Sequence, residues 1–164
     1  MAEYTGPNTT ANLDAAVQSL INVSNAGGRV RSWVDARSEA TAWAANDTIL
    51  MARLPSNAVL LPTGQINFEA SGASVTLDLG IYNQSGKTDI TDDPDALIVG
   101  TDISSAGTVQ VFTGIAVDNI GKPLWELAGL SADPGVEFDI KAALLDANPT
   151  DDVAFGWCLQ YMVD

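Results

Sequence analysis

The alternation of apolar and polar residues over residues 74–82 constrains the fold of this chain more than any other feature of its sequence. Its apolar positions recur at every second residue: Val75, Leu77, Leu79 and Ile81. A period of two places successive side chains on opposite faces of an extended backbone, so the stretch predicts a β-strand with one face in a core. The other face, with Asp78 and Tyr82 around Gly80, is expected to meet solvent or a neighbouring molecule. The stretch carries no obvious catalytic group.

Further strand-like segments follow one another between turn residues. The other predicted strands are 29–36, 47–55, 58–70, 97–103, 108–118, 136–146 and 152–164. Pro62 and Gly64 predict a bulge or bend within 58–70. Segment 121–130 has a proline near its start and predicts one short helix. Short strands separated by Gly, Pro, Asn and Asp predict an all-β, antiparallel sandwich, and within that class a jelly roll.

The domain organisation follows from a change in pattern near residue 28. A chain of 164 residues is most economically one domain. Residues 13–21 are compatible with two helical turns, and the sequence NAGG at 25–28 breaks the chain. We therefore expect an N-terminal arm or extension over 1–28 and a β-sandwich domain over 29–164. The first segment either docks on a neighbouring molecule or packs on its own domain.

Charge and composition exclude several classes of partner. The chain carries 7 basic and 21 acidic residues, for a net charge of −14, so direct binding to a nucleic-acid backbone is disfavoured. No apolar run approaches the roughly 20 residues that a membrane-spanning helix needs. The first residues also lack the basic and apolar regions of a signal peptide. We expect no nucleic-acid partner and no membrane partner.

The chain has no histidine, and Cys158 is its only cysteine. A disulfide within one chain is thereby excluded, as are histidine-containing zinc sites and the Ser-His-Asp and Cys-His catalytic arrangements. Cys158 lies in the apolar run AFGWCLQYM and is predicted to be a buried, inert thiol. We expect neither an enzyme nor a cofactor-binding protein.

An acidic loop predicted over 87–96 is the one place where metal chemistry is conceivable. It contains four weak candidate ligands: Asp89, Asp92, Asp93 and Asp95. Calcium takes clustered oxygen ligands, but the spacing lacks the glycine and the terminal glutamate of an EF-hand. A solvated loop that turns around Asp93 and Pro94 is the default interpretation.

Other polar and aromatic residues have competing interpretations. Glu69 and Asp78 are candidates for a pair of glycosidase carboxylates, although the sequence does not supply their separation. The four tryptophans either form a sugar-binding platform or, as we prefer, core and interface: Trp33, Trp43, Trp125 and Trp157. Four arginines pair with acids of the chain itself or of a partner, and the first is commoner: Arg29, Arg31, Arg37 and Arg53.

Parts of the sequence resemble capsid decoration (cement) proteins and related head-associated structural proteins of tailed bacteriophages. The resemblance covers roughly 27–103 and 153–164, and its segments are GGRVRSWVDA, NDTILMARLPSNAVLLPTGQINFEASGASVTLDLGIYN and CLQYMVD. The matching positions are Leu54-Pro55, Asn57-Ala58, Thr76-Leu77-Asp78, Gly80 and Tyr82. The acidic loop and residues 1–28 depart from the pattern. These motifs are structural and transfer no catalytic residues.

The resemblance implies a non-enzymatic virion protein, made in the cytoplasm of a bacterial host and carried on the capsid surface. Its implied partners are the major capsid protein and further copies of itself, with a trimer favoured. A rigid β-scaffold that reinforces a shell needs no titratable catalytic group. The alternative is a receptor- or glycan-binding sandwich of a phage fibre or spike, and an enzyme is a distant third possibility.

Overall fold

A computed structural model describes residues 29–37 and 43–163, which form nine β-strands and two short helices. The predicted N-terminal segment 1–28 lies outside the described residues. The strands are β1 (Arg29–Arg37), β2 (Thr48–Pro55), β3 (Val59–Leu60), β4 (Gln65–Phe68), β5 (Thr76–Tyr82), β6 (Asp93–Asp102), β7 (Gly107–Gln110), β8 (Glu137–Leu145) and β9 (Phe155–Val163). A 3-10 helix spans Val117–Asn119, and helix α1 spans Leu124–Leu127.

The strands form two antiparallel sheets. Sheet I has the order β1-β9-β4-β7, with β3 also pairing with β9, and sheet II has the order β2-β8-β5-β6. The pairing is nested, because β5 pairs with β6, β4 with β7, β2 with β8 and β1 with β9. The chain thus doubles back at the β5–β6 connection, and the long double strand winds into two sheets. This is a jelly-roll topology, which confirms the predicted fold class.

One core lies between the two sheets. Its largest fully buried side chains include Phe138 of β8 and Phe155 of β9, which come from opposite sheets. The indole N–H groups of the two buried tryptophans are satisfied by backbone carbonyls. Trp157 donates to the carbonyl of Met51 at 2.8 Å, and Trp43 donates to that of Val153 at 3.2 Å. In the described residues, no buried side-chain nitrogen or oxygen lacks a hydrogen-bond partner, so the buried polar side chains there are satisfied.

Strand β5 confirms the buried face that the sequence predicts, but the opposite face differs from the prediction. Leu77, Leu79 and Ile81 are fully buried. The expectation that the opposite face is exposed is wrong, because Asp78 and Gly80 are buried as well. The register between β5 and β6 shifts twice, which brings the backbone of residues 93 and 94 across the outer face of β5. A strand that was expected to have one buried face has two over most of its length.

Several other predicted bounds need correction. Segment 58–70 divides into β3 and β4, as Pro62 and Gly64 predicted. Strand β6 begins at Asp93, within the predicted acidic loop. The prediction of a strand over 108–118 is wrong beyond Gln110, because Phe112 and Gly114 adopt left-handed backbone conformations, with φ of 70° and 79°. The Phe112 N–H donates to the Leu97 carbonyl at 2.7 Å, so this turn covers part of the edge of β6.

The predicted short helix is present as α1, which follows directly on Pro123. No helix in the described part of the chain has the length and apolar character needed to cross a bilayer.

Candidate assembly surfaces

The acidic connection between β5 and β6 is held by an asparagine. The backbone N–H and the side-chain amide of Asn83 both donate to Asp92 Oδ1, at 2.8 and 2.9 Å. The Ile90 N–H donates to Asn83 Oδ1 at 3.0 Å, and Asn83 Nδ2 donates to the Ile90 carbonyl at 2.6 Å. Asp92 therefore serves as an acceptor that closes the loop on itself.

The other three aspartates of the predicted calcium site have different surroundings. Asp89 and Asp95 are exposed, whereas Asp93 is half-buried at the start of β6. Burial raises the pKa of Asp93, and a side-chain hydrogen bond with Asp95 raises it further. Within 29–37 and 43–163, no three Asp, Glu, Cys or His side chains converge on a point where a metal ion could bind. Calcium binding by these aspartates stays a prediction of the sequence.

The two candidate glycosidase carboxylates each accept a hydrogen bond from a backbone N–H, in different parts of the sandwich. Asp78 Oδ1, in sheet II, accepts from the Gly100 N–H at 2.5 Å and so holds β6 against β5. Glu69, which follows β4 of sheet I, accepts from the Ala154 N–H at 3.3 Å. Asp78 is thus hydrogen-bonded within sheet II, whereas Glu69 is hydrogen-bonded to the residue that precedes β9 of sheet I.

The structure confirms core packing for three of the four tryptophans. Trp43 and Trp157 are buried, and Trp125 is half-buried and packs against the core. The remaining tryptophan, Trp33 of β1, is 39% exposed. A platform of several exposed indoles is therefore not formed by these four residues.

The basic residues divide between paired and exposed positions. Arg53 Nε lies 2.7 Å from Asp139 Oδ1, which confirms the pairing of this arginine with an acid of its own chain. Lys141 Nζ lies 3.8 Å from the same carboxylate and 5.1 Å from the centre of the Tyr82 ring. Burial, followed by the charge of nearby aspartates, raises the pKa of Tyr82 to about 12.

Strand β1 differs from every other strand because all nine of its side chains are exposed. Along its whole length it pairs with β9, from Arg29 opposite Val163 to Arg37 opposite Phe155. No described strand pairs with its other edge. Two of its apolar side chains are among the most exposed in the described chain: Val30 at 58% and Val34 at 70%.

The two faces of β1 carry different chemistry. Trp33 and Asp35 share a face with the inward side chains of β9 and line a groove of about 380 Å³ with residues 50–53 of β2. Arg29 and Arg31 lie on the same face, and neither has an acidic partner within 4 Å among the described residues. The opposite face carries Val30, Ser32, Val34 and Ala36. Strand β1 therefore combines exposed arginines, exposed apolar groups and a backbone edge to which no described strand is paired.

The prediction that Cys158 is buried is wrong. Its side chain is half-buried on the outer face of β9, and its strand neighbours are Val34 and Gln65. The apolar run around it suggested burial, but β9 has a core-facing side and an outer side, and position 158 falls on the second.

Comparisons with known proteins identify the fold and leave the family open. No family model matches the sequence, and no curated protein matches it. A chain in the capsid of Ralstonia phage GP4 is similar in structure, with a TM-score of 0.59 and 21% identity over 84% of this chain and 86% of that one. A chain in the capsid asymmetric unit of cyanophage Pam1 gives a TM-score of 0.52 and 14% identity, over 84% and 87%.

A third similar structure comes from infectious bursal disease virus, Gx strain. Its TM-score is 0.52 and its identity 15%, over 84% of this chain but only 32% of that one. Most of this chain thus corresponds to about a third of the longer viral chain. At these identities the likeness concerns the fold, a two-sheet sandwich that this chain shares with proteins found in viral capsids.

Proposed function

We propose that this chain is a structural protein of a bacteriophage virion that decorates the capsid surface by binding the major capsid protein. The observation that carries the proposal is the extent of the structural likeness. It spans 84% of this chain and 86% and 87% of two chains whose structures are described as phage capsids. A chain of about this size, with little beyond the sandwich, therefore occurs in phage shells.

The placement of the polar residues supports a scaffold role. The buried carboxylates Asp78 and Asp139 engage a backbone N–H and an arginine, and the acidic connection is closed by Asn83. These groups hold strands and loops in place, as a scaffold requires. Stabilising a shell requires this kind of rigidity together with exposed surfaces for attachment.

The charge of the chain indicates the kind of surface that it binds. A net charge of −14 favours a basic patch on the shell, and attraction to such a patch weakens as salt is added. For the bound protein we propose a trimer, as its resemblance to decoration proteins implies.

Addition of the purified chain to undecorated capsids tests this function. We expect saturable binding at a fixed number of copies per shell, and a higher temperature of capsid disruption in the decorated particles. Shells that already carry their decoration protein serve as the control and should take up none. Absence of binding to undecorated shells at low and moderate salt would refute the proposal.

A second candidate is a subunit that builds the shell itself, and it is favoured by the same structural likeness. The bursal disease virus match places this fold within a longer chain of a virus particle. Omitting the chain from an assembly reaction separates the two functions. A decoration protein leaves intact but weaker shells, whereas loss of a shell subunit leaves none.

The glycan-binding alternative has less support, because only Trp33 among the four tryptophans is substantially exposed. Binding on a glycan array that is abolished by Trp33→Ala would favour this alternative over both capsid roles.

A further inference from the structure

The edges of the two sheets differ in how they are protected against pairing with another strand. Strand β2 has a register shift between Leu50 and Ala52. Strand β6 contains Pro94 and two register shifts, and β7 has only four residues. Strand β1 has nine residues in unbroken register, with no proline and no glycine. A long, regular edge strand is a template for pairing, and of these four edges only β1 lacks a bulge, a proline or a short length.

The residues on the inner face of β1 complement one another when two copies run antiparallel with Ser32 at the centre. In this register Arg29 of one copy lies opposite Asp35 of the other, and Arg31 lies opposite Trp33. The first pair joins opposite charges, and the second places a guanidinium against an indole ring. Both pairs occur twice because the arrangement is symmetric.

The outer face of β1 is complementary in the same register. Val30 of one copy lies opposite Val34 of the other, and Ser32 lies opposite its own copy. Both valines are largely exposed in the single chain, at 58% and 70%, so their mutual cover removes apolar surface from water. Each face of the strand therefore meets a matching face.

Charge disfavours the two neighbouring registers relative to the one centred on Ser32. Moving the centre by one residue to position 31 places Arg31 opposite its own copy. Moving it to position 33 places Arg29 opposite Arg37, a repulsion that offsets the attraction of Arg31 opposite Asp35 in that register. Like charges directly opposite each other destabilise a strand pair. Among these three registers, only the one centred on Ser32 has opposite-charge pairs and no pair of opposed arginines.

We propose that two copies of this chain associate through the free edges of β1, in antiparallel register about a two-fold axis at Ser32. The contact is isologous and closes after two copies, so the free protein forms a dimer. It is distinct from the trimer contact proposed for the bound protein, and on the shell it would join neighbouring trimers. The inference develops the self-association proposed above but requires no capsid.

Disulfide cross-linking tests the register directly. In a Cys158→Ser background, Ser32→Cys places two thiols at the axis, where the Cα atoms of opposed strand residues lie about 4.5–5.5 Å apart. This separation suits a disulfide. Mild oxidation should convert most of the protein to a covalent dimer of twice the 17.1 kDa chain mass.

The matched control for cross-linking is Ala36→Cys, on the same exposed face of the same strand. In the proposed register the two copies of position 36 are about 26 Å apart along the strand direction, and no disulfide should form. The combination Val30→Cys with Val34→Cys provides a second test, because its thiols meet only between copies. Monomeric Ser32→Cys, or equal cross-linking of Ala36→Cys, would overturn the proposal.

Charge reversal tests the same contact without cysteines. Asp35→Arg opposes two arginines at both ends of the pairing and should raise the dimer dissociation constant about tenfold. Adding Arg29→Asp restores opposite charges between copies, and affinity should return to within about threefold of the original. Within one strand these positions are about 20 Å apart, so rescue reports contact between copies. A double variant as weak as Asp35→Arg would contradict the register.

The two proposals can fail separately. A covalent Ser32→Cys dimer from a protein that ignores undecorated capsids would refute the decoration role and leave the β1 contact intact. A protein that decorates capsids but never cross-links at position 32 would refute the β1 contact alone.

Discussion

Strands β1 and β5 are both predicted from the sequence as strands, yet their surroundings are opposite. All nine side chains of β1 are exposed, whereas five of the seven residues in β5 are buried and the other two are half-buried. Strand β5 lies between β8 and β6, and the shifted backbone of β6 also covers its outer face. Within residues 29–37 and 43–163, β1 pairs with β9 on one side and with no strand on the other. The neighbours of a strand, more than its own residues, decide which of its faces are buried.

The difference separates two roles within one sandwich. Strand β5 contributes to the rigid interior, where apolar burial and satisfied polar groups stabilise the fold. Strand β1 contributes the exposed Arg29 and Arg31, two exposed valines and a backbone edge that no other described strand pairs with, and these groups are available to a second molecule. Substitutions in β5 should therefore change folding, and those in β1 should change association.

The largest contrast is expected between Leu79→Ala in β5 and Val34→Ala in β1. Leu79 is fully buried, so its truncation leaves a cavity and should lower the free energy of unfolding by about 3 kcal/mol. Val34 is 70% exposed, and its truncation should change that free energy by less than about 0.5 kcal/mol. Urea-induced unfolding of dilute protein measures both. A comparable loss for Val34→Ala would mean that its own chain covers β1.

Alanine substitutions at two glycines test whether the backbone of β6 lies close over the outer face of β5. A Cβ atom added at Gly80 would lie 2.1 Å from the Asp93 carbonyl oxygen and 2.4 Å from the carbonyl carbon of Pro94. Since backbone must move to accept it, Gly80→Ala should cost about 2–3 kcal/mol of unfolding free energy. At Gly156 the nearest atom to an added Cβ is the Ala36 Cβ, at 3.9 Å, so Gly156→Ala should be nearly neutral in the same urea titration. Equal stability of the two variants would show that β6 yields easily.

The next contrast compares the loss of a buried aspartate in β5 with the loss of an exposed aspartate in β1. Asp78→Ala removes the acceptor of the Gly100 N–H in a buried position and should cost about 1–3 kcal/mol. Asp35→Ala removes an exposed carboxylate whose partner is the Ala36 N–H, and should change the free energy of unfolding by less than about 0.5 kcal/mol. Thermal unfolding in dilute solution compares them, and Asp78→Asn, which keeps an oxygen acceptor, should recover part of the loss. A full loss in Asp78→Asn would indicate that charge, rather than the hydrogen bond, holds β6.

The strands could be predicted from the sequence because the alternation of apolar and polar residues, and the turn residues between strands, are properties of short segments. That alternation is enough to assign Leu77, Leu79 and Ile81 to the core, and the succession of strands is enough to predict the fold class. The cover over Gly80 could not be predicted, since it depends on two register shifts in a strand more than ten residues away. For the same reason the sequence alone places Asp78 on an exposed face.

Only part of the assembly surface on β1 could be predicted from the sequence. The sequence places Val30, Trp33 and Val34 on one strand, but only the sheet order shows that this strand lies at an edge, where no other described strand pairs with it. The turn at Phe112 could not be predicted, because a buried non-glycine residue adopts a positive φ there. Long-range packing decides both features.

The smallest expected effect concerns Asp93, which pairs with Ile81 at the end of β5. Burial and the hydrogen bond with Asp95 raise the pKa of Asp93 in the folded chain, above the value of about 3.9 for an unfolded aspartate. The folded state therefore holds this proton more tightly than the unfolded state. The resulting stabilisation is present below about pH 4 and is lost as pH rises through the folded pKa.

Asp93→Asn removes this ionisation while keeping the shape of the side chain. The difference in Tm between Asp93→Asn and the parent should be small near pH 3, where the side chain at this position is neutral in both proteins. As pH rises towards 7, the difference should come to favour the variant. Taking the difference cancels the titration of carboxylates whose surroundings the substitution leaves unchanged. A difference in Tm that stays constant with pH would contradict the raised pKa, and with it the close cover that sets β5 apart from β1.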